Sequence, residues 1–236
     1  MENTIEACAV TNANLIFFAT VYMYGPSPLD IPFDENSTKE PTTKKGLARK
    51  KTTDLLLKAI ADKRVNAVIG RSADFYGPYA VNSPFYISFL QRMLAGKSPL
   101  SISKKGIAHT YSDTTDIGKA FVALATDRTT YSWVWHLPTG RPISVEEVTK
   151  IFNKELGADF QTSYMPSWLR EFLSLFISPL KEAGEMLYQF NAKNIISSEK
   201  FKKHFPDFII TSYEEGIKEM TNSFKNNLSS ANKSIL

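Results

Sequence analysis

Two apolar runs of strand length flank a helical pattern near the start of the chain. Residues 15–19 are continuously apolar, which predicts a strand covered on both faces, as in a parallel α/β sheet, and residues 65–70 predict a second buried strand. Between them, residues 43–62 carry apolar side chains at helical spacing: Leu47, Leu55, Leu56, Ala59 and Ile60. A shorter amphipathic pattern over residues 3–13 precedes the first run. These positions predict a helix followed by a strand–helix–strand unit.

Helical spacing resumes beyond the second strand. Residues 85–94 and 116–126 each present apolar positions on one face, and Gly96 is a stop signal for the first of these helices. Residues 133–137 form a short apolar run that predicts a further strand. His136 lies in this run, where we expect a hydrogen-bonded core histidine rather than a metal ligand.

The next helix carries its own boundary signals. Ser144 and Glu147 have the S-x-x-E spacing of a capping box, and Ile143 and Val148 can form a hydrophobic staple across it. Gly157 supplies the glycine that commonly follows a helix. The sequence therefore predicts a well-defined helix between Ser144 and Gly157.

The last third of the chain differs in character. Residues 158–236 are richer in aromatic side chains and predict three polar helices: 180–190, 197–204 and 213–226. This change predicts a division into domains of residues 1–157 and 158–236, the second mostly helical. An apolar stripe over residues 168–176 could face a membrane surface or pack on the main lobe, and Arg170 and Glu171 within it favour packing.

Composition and charge narrow the class of protein. The chain has 236 residues, 43% hydrophobic and 22% charged, which is typical of folded proteins and excludes a mainly disordered or collagen-like chain. The formal net charge of +4 comes from dispersed lysines and arginines. Because nucleic-acid binders usually cluster such residues on one face, we expect no nucleic-acid partner.

The cysteines, the histidines and the lengths of the apolar runs exclude further kinds of site and segment. Cys8 is the one cysteine, so an intrachain disulfide is excluded, and the composition fits a reducing compartment. The acidic start, with Glu2 and Glu6, does not resemble a secretory signal, and no run approaches the roughly 18 apolar residues of a membrane helix. The three histidines show no metal-ligand spacing. We therefore expect a cytoplasmic protein with no membrane partner and no metal site.

Three segments, in order, carry a family likeness. They are T-V-Y-M-Y-G at residues 20–25, P-T-T-K-K-G-L-A-R at 41–49 and R-S-A-D-F-Y-G-P at 71–78. Together they resemble the extended short-chain dehydrogenase/reductase family, the NAD-dependent sugar epimerases and dehydratases. The spacing of the third motif is intact, and the likeness continues through residues 109–116 to about residue 226.

The resemblance implies a fold, a cofactor and a class of chemistry. We expect an α/β fold, an incomplete doubly wound (Rossmann-like) parallel sheet with a C-terminal mostly helical substrate lobe. The implied cofactor is NAD or NADP, and the implied substrate is a small molecule with a hydroxyl or carbonyl group. Members of the family open with a glycine-rich G-x-x-G-x-x-G turn that binds the cofactor pyrophosphate, and none of the 11 glycines has that spacing.

From the missing motif we expect an atypical, truncated member, the last two thirds or so of such an enzyme. Two or three strand–helix units of roughly 30 residues each would then be absent. We therefore expect weak dinucleotide binding by this chain alone. Two partner hypotheses follow: a homo-oligomer, or the missing N-terminal half supplied in trans. The alternative to catalysis is a degenerate member with a binding role only.

The family's catalytic residues are a Ser or Thr and a Tyr–Lys pair four positions apart. The resemblance assigns the hydroxyl to Thr20, the Tyr position to Lys45 and the Lys position to Arg49. Lys45, Arg49, Arg71 and Ser72 are the corresponding cofactor-binding candidates. A cation one turn away favours a neutral amine on Lys45, which could then act as a base, with Tyr22 or Tyr24 as alternative phenols. The competing interpretation is that Lys45 belongs to the solvated start of a helix.

The substrate-binding candidates are Asp74, His109 and Tyr24. Asp74 replaces the family's Asn and His109 its Arg, the residues that lie beside the diphosphate in nucleotide-sugar enzymes. Because an Asp repels phosphate and a His is only partly cationic near neutral pH, a nucleotide diphosphate sugar is disfavoured as substrate. The competing interpretation is that Asp74 only caps a neighbouring loop.

Overall fold

A computed structural model describes residues 1–26, 31–166 and 187–233. The predicted apolar stripe over 168–176 and the first part of the predicted helix 180–190 lie outside these residues. In chain order the elements are α1 (Glu2–Thr11), β1 (Leu15–Thr20), α2 (Lys44–Ala61), β2 (Ala67–Ser72), β3 (Asp74–Tyr76), α3 (Gln91–Leu94), β4 (Leu100–Ser101), β5 (Ala108–His109), β6 (Tyr111–Asp113), α4 (Thr114–Thr126), β7 (Val134–His136), β8 (Ile143–Ser144), α5 (Val145–Leu156), β9 (Ser163–Tyr164), α6 (Leu187–Asn191), α7 (Glu199–His204) and α8 (Tyr213–Lys233).

The chain divides into two compact units whose segments alternate along the sequence. The first unit contains residues 1–73, 117–139 and 196–208, and the second contains residues 74–116, 140–195 and 209–236. A domain boundary after residue 157 stays a prediction.

The first unit is built on a three-stranded parallel sheet with the order β1-β2-β7. Thr20 at the end of β1 lies opposite Ser72 at the end of β2, and Arg71 lies opposite His136 of β7. All six residues of β2 are buried, as expected of a central strand in an α/β sheet. The unit therefore has the Rossmann-like parallel arrangement that the apolar runs predict.

One face of β1 departs from the prediction. On the inner face, Leu15 and Phe17 pack against a core that contains Ile5 of α1 and Leu56 of α2. On the other face, Ile16 is 42% exposed and Phe18 is 44% exposed. The expectation that β1 is covered on both faces is therefore wrong, because an apolar run reports the preference of the strand and not what packs against it.

The second unit is held by short pairings between distant segments. Strands β3 and β6 pair in parallel, as do β4 and β9, while β5 and β8 are antiparallel. A π-helical turn over Phe85–Leu90 runs into α3, where the sequence predicts a plain helix. The core beneath these elements is aromatic, with buried rings from five segments: Tyr76, Phe85, Tyr111, Phe152 and Tyr213.

The boundary signals of α5 are confirmed. The Ser144 hydroxyl accepts the Glu147 N–H at 3.3 Å, and the Glu147 carboxylate accepts the Ser144 N–H at 3.0 Å. Gly157 ends the helix in the left-handed region, with φ of 64°. Within the described ranges, every helix falls short, in length or in apolar content, of what a bilayer crossing requires.

Candidate functional site

The carboxyl ends of β1 and β2 bring the first two candidate residues together. Thr20 and Ser72 are opposite each other in the parallel register. The Ser72 hydroxyl donates to the carbonyl of Ala73 at 2.7 Å. The Thr20 hydroxyl oxygen is buried and has no hydrogen-bond partner among the described residues. Since a buried hydroxyl normally has a partner, Thr20 is the polar group at this edge whose bonding is incomplete.

The first turn of α2 lies against the segment that follows β1. The N-cap Thr43 accepts the Gly46 N–H at 3.0 Å and fixes where the helix begins. A Cβ on Gly46 would lie only 2.8 Å from the carbonyl oxygen of Tyr22 and 2.7 Å from Pro41, so only glycine permits this approach. The packing therefore joins the start of α2 to the 3₁₀ helix Val21–Tyr24 directly after Thr20.

Lys45 and Arg49 are one helical turn apart on α2. Lys45 is half-buried in the first turn, whereas Arg49 is exposed. The first turn of α2 contains no acidic residue, so its positive charge adds to that of the helix N-terminus. This arrangement attracts anions to the same edge of the sheet that Thr20 occupies.

Tyr24 and Arg71 lie in a buried network with His136. The Arg71 guanidinium donates to the Tyr24 hydroxyl at 2.6 Å, so the tyrosine O–H donates to Nε2 of His136, also at 2.6 Å. Nδ1 of His136 then carries the hydrogen donated to the carbonyl of Ser197 at 3.0 Å. The backbone N–H of His136 donates to the Glu35 carboxylate at 2.6 Å. The prediction of a hydrogen-bonded core histidine is confirmed.

Burial governs the protonation of this network. It raises the pKa of Tyr24 to about 12 even though the Arg71 charge acts in the opposite direction. It lowers the pKa of His136 to about 3, and the Arg71 charge adds to that effect. The Nε of Arg71 is buried with no hydrogen-bond partner in the described part of the chain. The Tyr24 phenol is therefore protonated and fully engaged near neutral pH, which disfavours it as a proton donor or acceptor for a substrate.

Asp74 and His109 belong to the second unit. Asp74 begins β3 opposite Tyr111. Burial raises the pKa of both Tyr111 and Tyr188, and the Asp74 charge adds to that effect. His109 is 3% exposed, and its Nε2–H donates to the carbonyl of Ala192 at 3.0 Å. Burial lowers the pKa of His109, so the ring is neutral near pH 7 and carries no charge for a phosphate.

The structure thus collects the candidates into two groups. Thr20, Tyr24, Lys45, Arg49, Arg71 and Ser72 lie in the first unit, and Asp74 and His109 lie in the second. Nothing in the sequence indicated two further contacts of these candidates. His136, which is 112 positions from Tyr24, is its hydrogen-bond partner, and Tyr188 interacts with the charge of Asp74. Among the residues described, no group of His, Cys, Asp and Glu side chains has metal-binding geometry.

Solved structures share this fold. The chain aligns with UDP-glucose 4-epimerase from Thermotoga maritima, solved with UDP-glucose, at a TM-score of 0.75 and 22% identity, covering 95% of this chain and 67% of that one. UDP-glucuronic acid 4-epimerase from Bacillus cereus, solved with NAD, aligns at a TM-score of 0.74 and 16% identity, covering 95% of this chain and 66% of that one. dTDP-glucose 4,6-dehydratase from Bacillus anthracis, also solved with NAD, aligns at a TM-score of 0.73 and 16% identity, covering 96% of this chain and 66% of that one.

The chain therefore spans about two thirds of the length of these enzymes, or 66% of the Bacillus cereus epimerase. At these identities the likeness shows the fold alone. No curated protein matches the sequence. The family model that matches is the one described as the NAD dependent epimerase/dehydratase family, and it matches residues 1–132. Because that match extends over more than half of the chain, the protein belongs to the NAD-dependent epimerase/dehydratase family.

Proposed function

We propose that this chain provides the substrate side of NAD(P)-dependent epimerase or dehydratase chemistry on a small molecule that carries a hydroxyl or carbonyl group. The observation that carries the proposal is the meeting of Thr20 and Ser72 at the carboxyl ends of β1 and β2, with the cationic first turn of α2 packed on the next segment. Ligands of open α/β sheets bind outside this end of the strands.

The proposed roles follow from the chemistry of the three side chains. The Thr20 hydroxyl, which has no hydrogen-bond partner among the described residues, would hold a substrate oxygen. Lys45, at the position that the resemblance gives to the family's Tyr, would be the acid–base group that contacts the substrate hydroxyl. Arg71 would act indirectly, since its guanidinium is directed to the Tyr24 hydroxyl.

The residues present fit only one end of a dinucleotide. Thr20, Ser72, Lys45 and Arg49 could contact a nicotinamide ribose, and the nicotinamide would supply the hydride acceptor when bound. No glycine triplet of the pyrophosphate-binding spacing occurs in this sequence, so the backbone approach that the pyrophosphate needs is missing from it. We therefore propose that NAD or NADP binds weakly to this chain alone, and that a second polypeptide segment supplies the pyrophosphate site.

The substrate is proposed to lack a diphosphate. His109 is buried and neutral, and its Nε2–H is already directed to the carbonyl of Ala192. Asp74 adds a carboxylate in the same unit, which repels phosphate. A free sugar or another small polyol fits these charges better than the UDP-glucose with which the Thermotoga maritima epimerase was solved.

The test measures the turnover of glucose, galactose and UDP-glucose by NMR at high NAD concentration. Lys45→Ala is expected to lose at least about 100-fold in rate, since a positioned acid–base group contributes that much or more. The matched control is Lys44→Ala, one position earlier on the same turn. Unchanged turnover in Lys45→Ala would contradict the catalytic role, and saturable binding of UDP-glucose would contradict the substrate class.

The second candidate is a non-catalytic member with a binding role. It is favoured by the replacement of both members of the family's Tyr–Lys pair, at Lys45 and Arg49. Calorimetric titration with NAD and NADP separates the two candidates. Absence of binding together with absence of turnover supports the second candidate, whereas turnover at high NAD concentration overturns it.

A further inference from the structure

A cleft of about 270 Å³ lies between α5 and the segment that leads into β9. All the residues that line it belong to the second unit. One wall is the face of α5 that carries Glu146, Thr149 and Asn153 at helical spacing, and the other is the segment 159–164. Ligand pockets usually have volumes of about 300–1,000 Å³, so this cleft suits a small ligand.

Hydrogen bonds fix the two walls of the cleft against each other. Asn153 exchanges two hydrogen bonds with the backbone of Phe160, each 2.9 Å long. The hydroxyl oxygens of Thr149 and Thr162 are 2.6 Å apart, and Thr162 is the donor because Thr149 already donates to a carbonyl of its own helix. Strand β9 is in addition paired with β4. The walls are therefore held in place by the chain itself, and the Thr162 oxygen can still accept a hydrogen bond.

The charges around the cleft cancel. Glu146 accepts hydrogen bonds from the Tyr164 hydroxyl and from a backbone N–H. Burial acts to raise the pKa of Glu146, but these hydrogen bonds lower it overall, so the carboxylate is ionised near neutral pH. Asp159 adds a second negative charge, and Lys105 and Lys150 add two positive ones. An anion here meets two carboxylates and a cation meets two ammonium groups, so the balance of charge favours a neutral ligand.

Four polar side chains of the cleft have no hydrogen-bond or ion-pair partner among the described residues: Lys105, Lys150, Asp159 and Gln161. The two lysines only donate, the aspartate only accepts, and the glutamine amide does both. A hydroxyl group also donates and accepts, so a ligand with several hydroxyls matches this mixture of groups. Phe160, which also lines the cleft, supplies apolar surface for the C–H groups of such a ligand.

We propose that this cleft is a second binding site, which takes a neutral polyhydroxyl molecule of about the size of a monosaccharide. Its charge balance disfavours phosphates and amines, and its alternating donors and acceptors favour hydroxyls over apolar ligands. The cleft shares no residue with the edge of the sheet where Thr20 and Ser72 meet. The inference is therefore independent of the proposed catalysis.

Isothermal calorimetry with glucose and galactose tests the ligand class, with inorganic phosphate and methylamine as charged probes. We expect saturable binding of a sugar and no binding of either charged probe at the same concentration. Lys150→Ala is expected to raise the dissociation constant of the sugar about tenfold or more, and Gln161→Ala about threefold, since a charged donor contributes more than a neutral one. The matched controls are Lys154→Ala, one turn further along α5, and Ser163→Ala, two positions after Gln161, both exposed and neither lining the cleft.

NMR spectra of the backbone amides locate the bound sugar. The amides of residues 159–164 are expected to shift on titration, in Lys45→Ala as in the unmodified chain, so that a failure of the proposed catalysis leaves this result unchanged. Circular dichroism verifies that each variant is folded. Absence of sugar binding overturns the inference, as does preferential binding of phosphate or methylamine. So does sugar binding that Lys150→Ala and Gln161→Ala both leave intact.

Discussion

Each unit of the molecule contains a buried polar cluster, and the two clusters accommodate ionisable groups in different ways. In the first unit, Tyr24 links Arg71 to His136, and the histidine is kept neutral by burial. In the second, the Asp113 carboxylate caps α4: one oxygen accepts the N–H groups of Thr115 at 2.7 Å and Asp116 at 3.3 Å.

The other oxygen of Asp113 is buried with no hydrogen-bond partner among the described residues. A Cβ on Gly216 would lie 2.8 Å from that oxygen and 2.9 Å from the Tyr76 hydroxyl, so the glycine is what permits this close packing. Burial raises the pKa of Asp113, whereas it lowers the pKa of His136. The difference shows that burial favours the neutral form in both clusters and moves the two pKa values in opposite directions.

The largest expected effect comes from removing the link in the first cluster. Tyr24→Phe leaves a buried Arg71 donor and the His136 Nε2 acceptor without a partner. Each such group costs about 1–3 kcal/mol, so we expect a loss of about 3 kcal/mol in the free energy of unfolding, measured by urea titration. Tyr79→Phe, at a position 67% exposed, is the control. A loss no larger than that of the control would show that the network does not stabilise the unit.

The pH dependence of stability separates the two clusters. His136 is neutral in the folded chain, with a pKa of about 3, while an unfolded histidine titrates near pH 6.5. The unfolded state therefore binds more protons between these values. The stability from His136 is present above about pH 6.5 and falls by about 1.4 kcal/mol per pH unit below it.

His136→Gln is expected to reduce this slope, measured by urea titrations between pH 7 and pH 5. Part of the slope should remain, because burial also lowers the pKa of His109. His204→Gln, at an exposed position on α7, is the control. An unchanged slope in His136→Gln would contradict the assignment of a neutral buried ring.

The second cluster is expected to give the smallest effect, with the opposite sign. The pKa of Asp113 is raised in the folded chain, so the unfolded state loses its proton first as the pH rises. Stability from this group is present below about pH 4 and is lost as the pH rises through the raised value. Asp113→Asn keeps an oxygen for capping α4 and removes the titration.

The stability of Asp113→Asn relative to the unmodified chain is therefore expected to increase between pH 4 and pH 7, as measured by thermal unfolding. Asp207→Asn, at an exposed position, should show no such trend. A relative stability that decreases over this range would mean that the Asp113 charge is favourably paired in the folded chain.

Local signals were sufficient for much of the fold. The capping box of α5 involves residues three positions apart, and the helical periodicity of α2 extends over five turns, so both are readable along the chain. The two apolar runs indicated a parallel sheet, because strands of parallel sheets are usually buried on both faces. The motifs also predicted that Thr20 and Ser72 belong to one site, and the two residues are opposite each other in the sheet.

Other features have no local signal. Tyr24 is 47 positions from Arg71 and 112 from His136, and nothing near any of the three indicates that they meet. The exposed face of β1 also escaped prediction, because Ile16 and Phe18 are as apolar as their buried neighbours. The interaction of Asp74 with Tyr188 likewise depends on segments more than one hundred positions apart.

The sequence by itself determined the element types, the family and the residue types available at the candidate site, because periodicity, capping and motif spacing act within a few turns of chain. The tertiary structure alone decided which polar groups are buried, which protonation state each one prefers and which apolar face remains exposed. Burial and pKa are properties of a residue's whole surroundings, and those surroundings form only when distant segments pack together.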